Sequence, residues 1–523
     1  MLAPALQTIA LLLACFGVWK LCRHLHASAP RLTFLIIAGG FLFRVFAGSA
    51  LFWISYLGLP LGRRLQTGRG FWFFAFDGMG YFDLASTFAS KGLRAIAAVP
   101  SSSPSPFYVQ ILALFEYTFG TVASIGILLN VICYLITAAV LVWLSRRDPR
   151  LTTPVNVALL VLSFAPGCAL WSLQPLKDSF FVCVLTLFVA VCVAWQELWA
   201  GEARRIWPRA LALAAATFAL VYAISSVRWY TAFAMWVTLP LFAIAIARFS
   251  RRRAAAFFAT AGLMVIAGQA ILIASSDYVP RPLAALLRPA GPGRQRELAR
   301  LDLIKWLDSV RRGYDLTPGG TAITAGTLVP AKTPPSAPTQ VAAAAPPNPA
   351  PASALSSTSE RAAKPAEAKT VYEELVAADR ARQTEQQSAR MPVTRGGRII
   401  TGIAATFLPR ALAQSLGLIN VEGGRGFWLV ADADTIVLDA LVIFVIVFCI
   451  RQLRAKRMRV APAMVLVFVS MLAIAGPMIY TVSNFGTLFR LRQIIALQLC
   501  LIPLVMSATP RREHAFDAPE GAL

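Results

Sequence analysis

Apolar runs long enough to cross a bilayer alternate along this chain with short loops rich in arginine. A helix needs about 20 residues to span hydrocarbon, and backbone groups in lipid must be satisfied within the segment, so such runs fold as helices. With 57% hydrophobic and 14% charged residues, a soluble globular domain is excluded. The expected fold class is all-α, a polytopic helical membrane protein of about eleven spans. They are read at Leu2–Leu21, Leu32–Leu57, Val122–Leu144, Pro154–Leu173, Ser179–Trp199, Ala210–Ser225, Tyr230–Ala247, Ala254–Ser275, Thr435–Ile450, Ala461–Val482 and Leu491–Met506. Arg44 falls near the middle of the second span and should face the bundle interior.

Charge then orients the spans. Arg146-Arg147-Asp148-Pro149-Arg150, Arg204-Arg205, Arg251-Arg252-Arg253, Arg451 to Arg459 and Arg511-Arg512 all fall in alternate loops. Cytoplasmic loops carry excess Lys and Arg, which puts the N-terminus outside and the C-terminus in the cytoplasm. The first outer loop, 58–121, also holds Arg63, Arg64, Arg69, Lys91 and Arg94, but long loops obey the rule less strictly. Orientation and lipid headgroups account for the net charge of +24. No nucleic-acid motif accompanies it, so no nucleic-acid partner is expected. The eight cysteines form no C-x-x-C pair, and His24-Leu25-His26 lies in a basic loop, so neither a zinc site nor a disulfide framework is expected.

Three regions follow: an N-terminal bundle over 1–275, an extracytoplasmic loop over 276–434, and C-terminal helices with a short tail over 435–523. Within the loop, Glu297 to Arg312 is amphipathic, and Thr317 to Thr370 is rich in Ala, Pro, Ser and Thr and cannot bury a core. Val371 to Arg390 is a polar helix candidate, and Ile399 to Leu416 an interfacial one, as is Pro106 to Phe119 in the first loop.

Asp77, Asp83, Lys177, Asp178, Arg228, Arg490 and Arg492 all fall on the outward side. A charge at the edge of hydrocarbon is costly unless paired or wet, so a one-sided cluster reads as a site. In Asp77-Gly78-Met79-Gly80-Tyr81-Phe82-Asp83 a helix from Gly80 leaves Asp77 at its mouth, suited either to capping or to acting as a base. Lys177-Asp178 follows a Pro turn, where Asp178 would cap and Lys177 would snorkel or meet a phosphate. Arg228-Trp229-Tyr230 suits a lipid headgroup, or a phosphate or carboxylate held bidentately. Asp439, about one turn inside the ninth span, is a candidate internal counter-ion.

These motifs resemble those of the GT-C superfamily of integral membrane glycosyltransferases. Asp77, Tyr81 and Ala85 are similar to the D-x-x-x-Y-x-x-x-A form of that family's first outer loop, and Pro106 to Gly120 to the interfacial helix after it. A largely uncharacterised bacterial branch resembles the chain more closely, through Lys177-Asp178, Arg228-Trp229-Tyr230, Phe407 to Leu412 and the Asn484 to Arg492 segment. The resemblance implies sugar transfer on the extracytoplasmic face of the bacterial inner membrane. The donor would be a polyprenyl-phosphate-linked sugar and the acceptor a glycan, lipid or protein of the envelope. Asp77 would be the catalytic base, with Tyr81, Asp83, Lys177, Asp178, Arg228, Tyr230, Asn484, Arg490 and Arg492 binding substrate. Two departures stand out: the loop follows the second span rather than the first, and Asp77-Gly78 replaces the usual acidic pair, so no metal-binding carboxylate pair is supplied there; no cofactor is expected, with a divalent metal left open. Rival readings are a flippase or transporter, with charges strung along a path, and a non-catalytic scaffold using the outer loop.

Overall fold

The computed structural model describes residues 29–100, 103, 105–200, 206–228, 231–247, 255, 258–262, 395–417, 425–481 and 485–508, with 6–7, 9–11, 13–14, 16–17 and 20 of the first segment. The expected features at 276–394, including the amphipathic, Pro/Ala-rich and polar segments, lie outside the described residues, as does most of the eighth span.

The described chain is mostly helical. Helix α1 (Arg31–Tyr56) leads into a short hairpin of β1 (Gln66–Gly68) and β2 (Phe71–Trp72), antiparallel, with Gln66 opposite Trp72. Three helices of the first loop follow: α2 (Phe76–Ala89), α3 (Leu93–Ala97) and α4 (Pro106–Phe119). Next come α5 (Ile125–Ser145), α6 (Thr152–Phe164), α7 (Pro166–Leu170), α8 (Lys177–Ala200), α9 (Ile206–Val227) and α10 (Thr231–Ala247). The C-terminal part holds α11 (Arg395–Phe407), α12 (Arg410–Ser415), α13 (Arg425–Arg454), β3 (Met458–Arg459), α14 (Pro462–Thr481), α15 (Phe485–Leu504) and β4 (Ser507–Ala508). Among the described residues, five helices are long and apolar enough to cross a membrane: α1, α5, α8, α9 and α13. Helix α5 is the most enclosed, whereas α1 and α13 leave large apolar side chains such as Leu35, Phe46, Ile436 and Ile443 exposed, as a lipid-facing surface requires.

Four expectations need correction. The fourth span is two helices, because Pro166 has no amide hydrogen and turns Ala165 to an extended ψ of 131°. The Gly167 amide, freed at that break, donates to Asp434 Oδ1 at 2.6 Å. The helix expected from Gly80 begins earlier, at Phe76, so Asp77 lies within its first turn. The interfacial segment Ile399 to Leu416 is split at Leu408-Pro409 into α11 and α12. The ninth span begins well before Thr435, with α13 taking in the stretch expected as the end of the outer loop.

Polar groups gather at two poles. At one, α2, α4, the start of α8, the end of α9 and the start of α15 converge around Asp77. At the opposite pole Arg147 pairs with Glu197 at 2.5 Å, and Arg150 reaches the Arg457 carbonyl at 2.8 Å. There β3 also pairs with β4, Met458 opposite Ala508. Of the loops assigned by charge to one side of the membrane, the described ones at 146–150 and 451–459 thus meet.

Candidate functional site

The turn Trp171–Leu176 aims the first residues of α8. Asn130 of α5 donates from Nδ2 to the carbonyls of Ser172 at 3.0 Å and Gln174 at 2.5 Å, fixing the turn from below. One helical turn earlier, Gly126 lies so close to Pro175 that a methyl group there would overlap the ring. On the other side a Cβ at Gly78 of α2 would come 3.2 Å from the Pro175 carbonyl oxygen. The turn is therefore wedged between α2 and α5, and Lys177 and Asp178 emerge in the first turn of α8, where the helix dipole favours an anion.

Asp178 is the hub. Its side chain is fully buried and takes Arg228 on Oδ1 and Arg490 Nε on Oδ2, the latter at 2.6 Å. Arg490 extends the chain of charges, donating from Nη1 to Asp77 Oδ2 at 2.5 Å. Four residues far apart in sequence thus form one line: Arg228, Asp178, Arg490, Asp77. Neither aspartate acts as an N-cap. The cap position of α2 is Ala75, without a side-chain bond, and both carboxylates are committed to guanidinium groups.

Lys177 stands beside that line. Its Nζ donates to Ser105 Oγ at 2.7 Å and sits 5.2 Å from the centre of the Tyr81 ring. Among the described residues no carboxylate lies within ion-pair distance of it. Ser105 precedes α4 with a positive φ of 54°, a conformation L residues seldom adopt. Its hydroxyl does not cap α4 but donates to the Val227 carbonyl at 2.9 Å, so α4, α8 and α9 are tied at one atom. Tyr81 packs edge-to-face on Tyr108 at 5.5 Å, and burial, then the nearby Asp77 charge, hold its phenol above the ordinary range. The cluster sets three basic side chains (Lys177, Arg228, Arg490) against two carboxylates (Asp77, Asp178).

Other expected residues lie elsewhere. Asp83 faces outward and pairs with Arg69 at 2.9 Å. Arg492 is buried on another face of α15, donating to Thr435 Oγ1 at 2.6 Å and to the Ala405 carbonyl. Two residues along a helix is about 200°, so Arg490 and Arg492 cannot serve one ligand atom. Tyr230 and Asn484 lie outside the described residues. Sequence reading missed Ser105 and Glu116. Glu116, in α4, is 1% exposed, accepts from Ser86 Oγ at 2.5 Å, and has its carboxyl pushed up to about 8, chiefly by burial. Among the described residues no three His, Cys, Asp or Glu side chains converge as a metal site, and Arg490 occupies the place between the two clustered carboxylates.

Compared with known proteins, the chain matches no family model, no curated protein and no solved structure.

Proposed function

We propose that the protein is a membrane glycosyltransferase that moves a sugar from a polyprenyl-phosphate donor to an envelope acceptor at the Asp77 pole. The observation that carries this reading is the line of buried and partly buried charges ending in a carboxylate, assembled from four segments of the chain, with Lys177 beside it. A phosphate that remains on the polyprenol when the sugar departs needs cations placed before the reaction, and Lys177 and Arg490 meet that need. Asp77 supplies the base. It removes the proton from the acceptor hydroxyl; the acceptor oxygen bonds to the sugar's anomeric carbon, and the bond from that carbon to the phosphate oxygen breaks. Inversion at that carbon is expected from a single displacement.

The ion pair couples donor binding to the base. Asp77 is held by Arg490 through Oδ2, and a donor phosphate competes for the same guanidinium, which would release the carboxylate oxygen toward the acceptor hydroxyl. In this reading Asp178 and Arg228 position Arg490. Arg492 contributes through the packing of α15 against α11 and α13.

The test is transfer in proteoliposomes supplied with a panel of short-chain polyprenyl-phosphate hexoses and extracted envelope acceptors. Asp77→Asn is expected to abolish transfer while the protein stays folded in the membrane. Retained transfer excludes Asp77 as the base.

A further inference from the structure

Arg44 lies in the middle of α1, 1% exposed, far from both poles along the helix. Its guanidinium is a permanent charge, since arginine does not lose its proton in proteins. Nη1 donates to the carbonyls of Gly40 at 3.0 Å and Ser163 at 3.1 Å, and Nη2 to Leu162 at 2.6 Å. The guanidinium carbon lies over the Tyr134 ring, 4.1 Å from its centre. Carbonyl dipoles and a ring face ease the charge without neutralising it. Among the described residues no carboxylate forms an ion pair with Arg44; Asp434, which enters from α13, is bound to the Gly167 amide. Nε has no hydrogen-bond partner.

Arg44 borders a cavity of about 20 Å³, walled also by Tyr134, Thr137, Cys168, Ser179 and Gln493. One water needs about 10–15 Å³ by the same measure, so the space suits a single occupant of water or halide size. Water there would leave the charge unbalanced, and an uncompensated charge away from water costs several kcal/mol. The Ser179 hydroxyl, the Gln493 amide and the Cys168 thiol are among its walls and no acid is, while the Tyr134 and Thr137 hydroxyls donate to the carbonyls of Ile37 and Cys133.

We propose that this cavity binds a small monovalent anion of chloride size as the counter-ion of Arg44. The anion bridges α1, α5, α7, α8 and α15, so it acts as a structural ligand that makes stability depend on halide. Ser179 follows Asp178 directly, and Gln493 donates to the Arg490 carbonyl at 3.0 Å, so the bound ion also lies under the floor of the charged line.

The experiment is thermal unfolding of the full chain in detergent, in sodium chloride, sodium bromide or sodium gluconate at one fixed ionic strength. Chloride and bromide are expected to raise the midpoint saturably by roughly 2–4 °C over gluconate. Arg44→Gln is expected to remove that difference, and Cys168→Met, which narrows the space and keeps the arginine, to weaken it. Equal midpoints in chloride and gluconate overturn the proposal, because a cavity holding only water is indifferent to the salt. A chloride effect unchanged in either variant overturns it too, by placing the halide elsewhere on a basic surface. Where Arg44→Gln does not fold, the Cys168→Met result decides.

Discussion

The two poles solve the same electrostatic problem in opposite ways. At the far pole the ion pairs are partly in water: Arg147 with Glu197, and Arg150 near Asp148 at 3.9 Å. Such pairs are worth about 0–1 kcal/mol each, since water solvates the ions almost as well as the partner does. At the Asp77 pole the carboxylate of Asp178 has no contact with water and holds two guanidinium groups. Removing ions from water costs more than most pairs return, so a buried line of charges is poor evidence of stabilisation. Its presence argues for a role in recognition, where prepositioned charge is the requirement.

Substitutions can break that contrast. Asp178→Asn leaves Arg228 and Arg490 sharing a neutral amide, and a loss of about 3–5 kcal/mol is expected, read as a fall in denaturant midpoint in detergent. Glu116 tests the same pole by pH. Its folded pKa lies above the unfolded value, so its contribution is fully present below about 4.5 and is lost as pH rises to about 8. Unfolding titrations should show stability falling by about 1.4 kcal/mol per pH unit inside that window through this group, and Glu116→Gln should flatten that component. Gly126→Ala drives a methyl into Pro175 and displaces the turn before Lys177; a loss of about 1–3 kcal/mol is expected, read as a fall in denaturant midpoint. Glu197→Gln, at the far pole, should shift the midpoint by less than about 1 kcal/mol. A larger loss there than from Asp178→Asn would reverse the comparison.

The helices could be read from hydropathy because lipid demands uninterrupted apolar length, and α1, α5 and α8 start and stop within a few residues of expectation. The break before Pro166 was written in the sequence but hidden by apolar residues on both sides. For the site, one-sided charge singled out Asp77, Lys177, Asp178, Arg228 and Arg490, and these do converge. Pairing was illegible, because which guanidinium meets which carboxylate depends on helix rotation. Helical spacing alone would have separated Arg492 from Arg490. Glu116 was lost inside an apolar stretch, and Ser105 gives no signal until its hydroxyl is seen joining three helices.

The small ladder between Met458–Arg459 and Ser507–Ala508 makes the molecule easy to orient by chemistry. It ties together two connections otherwise separated by the whole length of α14 and α15. A single cysteine at the exposed Arg459, challenged with a membrane-impermeant maleimide from one side of a sealed vesicle, therefore reports for Arg150, Glu197 and Ser507 at once. The Asp77 end is then assigned to the other compartment without a second label.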